Sequence, residues 1–576
     1  METNNSSKSL FLNKPSIYFW IAAIYCFMIL NFVGMPSWRH IDDYGPLLKL
    51  YNAESINEFI KLFSWWGWGS YPPIWQYFTF SSYIFKPFGL DTVRYICFFY
   101  GSISLVFSSF LTFSICTCIK NINLQNNYKL QNNYTLEILS ILFNFLNPEI
   151  ILHSNSNMPY NLGTITLQLA VLFLFSIRED KFLSNNIRLK ESNYFLIKRE
   201  ILIIALIFSF LLTFQSIILI LALAITIVFF SNKNKFKFNL KFIKIKFIII
   251  YFYSLLKDSN KNKLKLYLII CLSFFISTYI FKLSLMIFYF KFEPGSWAKG
   301  INNIYDLSLF DNGLLKNGLI FFRNTISIIG QSINPSRNFQ TIISIVLSLI
   351  FVKSIFFIRK EYNFGKVFQI FSFFIILLTI FFTLTGSFIY SPTRHTIFIY
   401  PLIWIPIILL IDKIFINLGN KKINKFFILF IVLIFSLSAY NSVKEISYTK
   451  PDKEKLISLI KDADCYLPNS YEPFSNLSMQ GSKEYKLLSE RKCSFDNIKS
   501  INNKKFFIYS HREPLTLTEK QVYYINNKNK IYLSGNLDIN VIKKFEKINQ
   551  IDLEMNNKIR NGGSNIFAYL IEININ

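Results

Sequence analysis

Residues 16–35 read Ser-Ile-Tyr-Phe-Trp-Ile-Ala-Ala-Ile-Tyr-Cys-Phe-Met-Ile-Leu-Asn-Phe-Val-Gly-Met, and Trp38-Arg-His-Ile-Asp-Asp-Tyr-Gly45 follows almost at once. A run this long and this apolar can cross a ~30 Å hydrocarbon core. The polar stretch before it, with Lys8 and Lys14, has the look of a signal peptide. No small-residue cleavage site follows, so a retained first helix is expected. Two adjacent carboxylates, Asp42 and Asp43, then stand at the mouth of the span. Charge beside lipid is costly to hold and marks a functional candidate.

The rest of the chain extends the pattern. Of 576 residues 52% are hydrophobic, with 64 Phe and 32 Tyr, which no ordinary soluble chain of this length carries. Apolar runs fall at 16–35, 95–118, 135–151, 160–177, 201–214, 216–230, 266–290, 340–358, 367–386, 396–412 and 426–442. The expected fold class is a polytopic α-helical membrane protein with about 11 transmembrane helices, plus a small C-terminal α/β soluble domain. Residues 201–230 are too long for one untilted span, and Thr213-Phe-Gln-Ser216 offers a polar break.

Net charge is +27, and the lysines gather between the spans. Residues 178–200, 233–265, 359–366 and 413–425 carry the excess; 233–265 alone has ten Lys against Asp258. The positive-inside rule puts these connectors in the cytoplasm. The N-terminus then lies inside, in a multi-pass cell membrane protein. The first outer loop 36–94, the short loop 152–159, the long outer loop 291–339, the connector 387–395 and the tail lie outside. No aromatic-basic nucleic-acid motif accompanies the charge, so no nucleic-acid partner is expected. The bilayer is the expected surface partner, with the Lys/Phe alternation at 233–246 anchoring on acidic headgroups.

Residues 74–90, opened by Pro72-Pro73 and closed by Pro87 and Gly89, read as an in-plane helix on the outer membrane surface. After Ser442 the composition turns polar, with strand-like runs at 505–510, 521–524 and 565–571. The division is therefore a transmembrane domain over 1–442 and an extracytoplasmic soluble domain over 443–576. In that tail Cys465 and Cys493 either pair in an oxidising compartment or stay free thiols.

Four places carry candidate chemistry. In a poorly solvated site one of Asp42 and Asp43 can serve as a general base; the bland alternative is a cap on a helix starting near Tyr44. His40 and Arg39 precede them, and Tyr71 with Pro72-Pro73 follows. Arg394 and His395, in Ser391-Pro-Thr-Arg-His395, open an apolar helix. Arg grips phosphate with two donors; its alternative is a snorkelling interfacial side chain. Glu149 and His153 stand four apart at the second outer turn and can share a helix face. The long outer loop holds Lys299, Asp306, Asp311, Arg323 and Arg337, and a loop of this length often binds or covers a ligand. His40, His153 and His395 fall on one predicted side, so convergence on a metal stays open, although their spacing is not specific.

These features together resemble the GT-C superfamily of membrane glycosyltransferases, and within it the protein O-mannosyltransferases and lipid A aminoarabinose transferases. The resemblance rests on Asp42-Asp43 after the first span and on Tyr71-Pro-Pro-Ile-Trp75 followed by Phe88-Gly and Arg94. The long loop after the seventh span and Arg394 at the entry to a late span complete it. It covers about residues 16–412. The pair is Asp-Asp where those families usually have Asp-Glu, and the next outer loop offers Glu149 rather than another Asp.

The resemblance implies a polyprenyl-phosphate-linked sugar as donor and a lipid, glycan or protein hydroxyl as acceptor. Asp42 would take the acceptor proton with Asp43 tuning it, and Arg394 and His395 would stabilise the departing phosphate. His40, Tyr71, Glu149 and His153 would line the substrate site. A monophosphate leaving group does not require a metal, so no obligatory cofactor is implied, with a divalent metal left open. Two rivals remain: an O-antigen ligase or polymerase, which lacks the acid pair with Pro-Pro, and a transporter, which should show paired broken helices.

Overall fold

The computed structural model describes residues 9–34, 90–123, 133–145, 147, 150, 160–178, 194–212, 215–231, 309–333, 340–384, 388, 390–392, 394–418, 426, 429, 432–433, 464–466, 504–512, 548–555 and 565–573. The described part is mostly helical. Helices α1 (Ile17–Gly34), α2 (Leu90–Asn123), α3 (Tyr134–Phe145) and α4 (Tyr160–Arg178) come first. Helices α5 (Arg199–Leu212) and α6 (Ser216–Ser231) flank the expected break at 213–215. Then come α7 (Leu309–Ile333), α8 (Gln340–Glu361), α9 (Gly365–Leu384), a 3-10 turn (Arg394–Ile399) and α10 (Tyr400–Leu418).

Among the described residues three stretches are long and apolar enough to cross a membrane: Gly101–Lys120, Gly365–Leu384 and His395–Asn417. Five shorter apolar helical stretches lie in α1, α3, α4, α5 and α6. Helix α2 runs on past its expected bounds to 34 residues, about 51 Å. The in-plane segment before Leu90, the basic segment 233–265, the span 266–290, the strand-like run 521–524 and Cys493 lie outside the described residues. So does most of 426–442.

Helix α10 sits at the centre. Leu402, Ile403, Trp404, Ile405, Ile407, Ile408 and Leu409 are all buried, so over 402–409 the helix is enclosed on every side, while Ile414 and Ile416 in its last turns are exposed. It packs against α2, α3, α4, α7 and α8. Pro401 falls in its first turn, where a missing N–H costs nothing. At the edge, α1 exposes Ile17, Tyr18, Ile21, Ile24, Tyr25 and Met28 and buries Phe19 and Ala23. In a membrane chain such an exposed apolar face is the one that meets lipid.

The stretch expected as a long outer loop contains the 25-residue helix α7. It packs along α8, and the two meet at Gly330, where a Cβ would lie 3.1 Å from Ser344 Cα and collide with that serine's side chain. Only glycine admits so close an approach.

Two sheets complete the described residues. Strands β1 (Ser9–Asn13) and β2 (Tyr194–Lys198) pair antiparallel, Phe11 opposite Leu196, with Leu10 and Leu12 buried. The pairing joins the N-terminus to a basic connector, two segments that the charge pattern assigns to one side. The polar tail forms a four-stranded sheet in the order β3-β4-β6-β5. Its strands are β3 (Cys465–Tyr466), β4 (Lys504–Arg512), β5 (Ile548–Met555) and β6 (Asn565–Ile573). Strands β4 and β6 cover the first and last strand-like runs of the sequence; β3 and β5 are additional.

Candidate functional site

Buried polar side chains must find partners or be held at a cost, so their accounting locates whatever the bundle is built to hold. In the middle of the bundle the amides of Asn144 and Gln168 are paired, while the hydroxyls of Ser102, Ser114 and Ser140 are buried without a partner. Asn144 Nδ2 donates to Ser140 O at 2.8 Å and Thr112 Oγ1 at 3.2 Å. Gln168 Nε2 donates to Thr112 Oγ1 at 2.8 Å and Ser108 O at 3.2 Å. The Ser108 hydroxyl stands 2.6 Å from Asn144 Oδ1 and 3.1 Å from Gln168 Oε1. This network ties α2, α3 and α4 together.

One end of the bundle is closed by charge. Lys120 Nζ, near the end of α2, lies 2.8 Å from Asp412 Oδ2 in α10, both side chains about 95% buried. In the neighbouring turn Tyr362 is buried, and burial pushes its phenol above the usual range, with Asp412 adding to the effect. Glu137, in the first turn of α3, accepts from Ser16 N at 2.7 Å and Ser16 Oγ at 2.6 Å. It thereby caps α1 from another helix, an anion at a helix N-terminus.

The opposite end carries Arg394 and His395. Its central joint is Gln215, the first described residue after the break between α5 and α6. Gln215 Nε2 donates to the His395 carbonyl at 3.3 Å. Gly163 of α4 comes so close that a Cβ there would lie 2.8 Å from Phe398 Cβ and 2.9 Å from Gln215 Oε1. The break, the 3-10 turn and the start of α4 thus form one tight junction. The imidazole of His395 packs edge-on against Phe388, ring centroids 6.3 Å apart.

Tyr390 links this end to α7. Its carbonyl accepts from Asn324 Nδ2 and its hydroxyl meets Thr325 Oγ1, each at 2.8 Å. Burial pushes its phenol up to about 12, with the Thr325 hydrogen bond pulling the other way. Below, Trp404 Nε1 donates to Ser332 O at 2.9 Å, and Asn147 Nδ2 donates to the same carbonyl.

Here the account does not close. Asn161 in α4 and Asn317 in α7 have no partner for either amide atom, and Gln215 Oε1 and Gln331 Oε1 have none. Exposures are 5%, 2%, 1% and 9% in that order. Among the described residues these four are all the buried amide side chains with an orphaned atom. None belongs to the middle network. An amide both donates and accepts, so an orphaned one is a ready partner for a hydroxyl.

The expected site residues are divided by this structure. His395 is in place at the junction, and Arg394 is the first residue of the 3-10 turn. His40, Asp42, Asp43, Tyr71, Glu149 and His153 lie outside the described residues. The described residues contain no group of three His, Cys, Asp or Glu able to hold a metal. Gln215 was legible only as a polar break, and Asn161, Asn317, Asn324, Gln331 and Tyr390 carried no signal beyond being polar near apolar runs.

No protein-family model matches the chain, and no curated protein matches it. Among solved structures it is similar to ArnT from Cupriavidus metallidurans, crystallised with undecaprenyl phosphate. Identity is 9%, coverage 96% of this chain and 97% of that one, and the TM-score 0.47.

Proposed function

We propose that the chain is a membrane glycosyltransferase that moves a sugar from a polyprenyl-phosphate donor to an acceptor hydroxyl on the extracytoplasmic face. Asp42 takes the acceptor proton, with Asp43 raising its basicity by like-charge proximity. The acceptor oxygen bonds to the anomeric carbon as the bond to phosphate breaks, so one displacement inverts that centre. Arg394, aided by His395, stabilises the phosphate as its charge develops. His40, Tyr71, Glu149 and His153 contact substrate. A divalent metal is not needed for a monophosphate to leave, and none is assigned.

The observation that supports this reading is that, among the described residues, the buried amides with an orphaned atom lie in α4, in α7 and at Gln215, whereas Asn144 and Gln168 are paired within the fold. A sugar-phosphate needs hydroxyl partners beside a cation. The transporter alternative calls for broken helices in both halves; α5 ends at Leu212 and α6 begins at Ser216, whereas α10 runs through Pro406 unbroken.

The test uses the full-length protein in nanodiscs with radiolabelled polyprenyl-phosphate sugars. Asp42→Asn should lower transfer on the order of 10²–10⁴-fold, the range of a general base. Transfer undiminished by that change removes Asp42 from the mechanism. Binding without release of sugar from any donor favours transport. Labelling of a cysteine placed in the tail only from the cytoplasmic side overturns the topology.

A further inference from the structure

Asn317, Asn324 and Gln331 recur every seven residues along α7. Seven residues are nearly two helical turns, so the three amides share one face, about 10.5 Å apart in sequence. Phe321 and Ile328 fill the same face between them, whereas Lys316, Gly318, Leu319, Phe322 and Arg323 are exposed. The contacts fix which way this face points. Phe321 packs on the Tyr390 ring and Asn324 holds the Tyr390 carbonyl, so the face borders the segment that leads into Arg394.

A core face would ordinarily be apolar at these positions. Here it carries three amides, and two of them are incomplete. Asn317 is 98% buried with both amide atoms unpartnered, and Gln331 Oε1 is also unpartnered. Only Asn324 has its donor used within the fold. Leaving such groups desolvated is costly, and leucine at 317 would fill the same face without that cost. The expense makes sense where something arrives to meet them.

We infer that this face of α7 is a binding track for carbohydrate hydroxyls, with Asn317 and Gln331 as its unfilled contacts. Hydroxyl groups both donate and accept, as the amides do. The spacing sets a limit: one sugar ring reaches one amide at a time, so the track distinguishes a glycosylated lipid from a bare one and reads an extended glycan at both contacts. The assignment of the sugar as part of a lipid-linked substrate rests on the glycosyl-transfer reading; the track itself rests on α7.

The experiment measures binding of the full-length protein in nanodiscs to bare polyprenyl phosphate and to polyprenyl-phosphate glucose, mannose and arabinose. Asn317→Leu and Gln331→Met are compared, with thermal midpoints taken without lipid. The expected result is at least a tenfold preference for one sugar-bearing lipid over the bare lipid. Asn317→Leu should abolish that preference while changing the bare lipid less than twofold, with an unchanged or higher midpoint.

A preference untouched by both substitutions overturns the track and leaves the glycosyl-transfer reading standing. A lower midpoint in Asn317→Leu makes the amide structural and overturns it too, as does equal binding of bare and glycosylated lipids, the outcome expected if only trapped water meets these amides. Failure to bind any of the four lipids overturns both.

Discussion

At one end of the bundle Lys120 and Asp412 neutralise each other at 2.8 Å, and Glu137 is satisfied by both the amide and the hydroxyl of Ser16. Around the helices of the other end, Gln215 uses its Nε2 on His395 and leaves Oε1 idle, and Asn161 and Asn317 use neither amide atom. Both regions bury polar groups to a similar degree. They differ in whether the fold itself supplies the partners. Where polarity serves to fasten helices, the partners are internal and complete. Where it is incomplete, the fold is carrying a cost that packing alone does not explain.

The largest effect should come from breaking the complete end. Asp412→Ala leaves Lys120 charged and buried with its partner gone, a loss of about 3–5 kcal/mol. Replacing both, as Lys120→Met with Asp412→Leu, removes the charges together and should return stability to near that of the parent. Thermal unfolding in nanodiscs reads both. Equal damage from the single and double changes would mean that the two side chains are not coupled.

Next in size is the junction itself. Gly163→Ala gains roughly 1 kcal/mol of helix propensity. Its Cβ would nonetheless stand 2.8 Å from Phe398 Cβ and 2.9 Å from Gln215 Oε1. Overpacking of this kind costs about 1–3 kcal/mol, so the net change should be destabilising. It should also loosen the Gln215–His395 bond, visible as faster amide exchange in the 3-10 turn. A stabilised Gly163→Ala would show that the junction has slack. Of comparable size is Ser108→Ala in the middle network. It removes the hydroxyl facing Asn144 Oδ1 and Gln168 Oε1 and should cost about 1–3 kcal/mol if an amide oxygen is left bare.

The sequence was readable where the physics is local. The polar Thr213-Phe-Gln-Ser216 inside a long apolar run forecast the α5–α6 break, and Arg394 beside an apolar run forecast the entry to α10. Short runs rich in aromatic and β-branched residues forecast β4 and β6. Helix α7 was not readable, because Asp311, Gly313, Lys316, Gly318 and Arg323 interrupt its apolar pattern and its buried face carries amides. Strand β3 is two residues long, and β5 carries the polar pair Asn549-Gln550 near its start and no aromatic residue. The Lys120–Asp412 pair was invisible for a different reason: each residue ends an apolar run, and only packing of α2 on α10 brings them together.

The smallest effect concerns Tyr390, a site-end group whose hydroxyl has an internal partner. Tyr390→Phe removes the contact to Thr325 and should cost about 0.5–1.5 kcal/mol at neutral pH, with the Asn324 bond to the main-chain carbonyl untouched. The pH dependence reports the burial of the phenol. Burial pushes the folded phenol up to about 12, against roughly 10 in the unfolded chain. The folded state therefore holds the proton more tightly. Below about pH 10 both states are protonated and the parent's stability does not vary with pH through this group; between about 10 and 12 the unfolded chain loses its proton first and stability falls. Tyr390→Phe should lack that decline, so the two unfolding curves should converge as pH rises through this window. Parallel curves would mean that Tyr390 titrates normally and reaches solvent, which would place it with the open polar groups of its end and not with the closed ones.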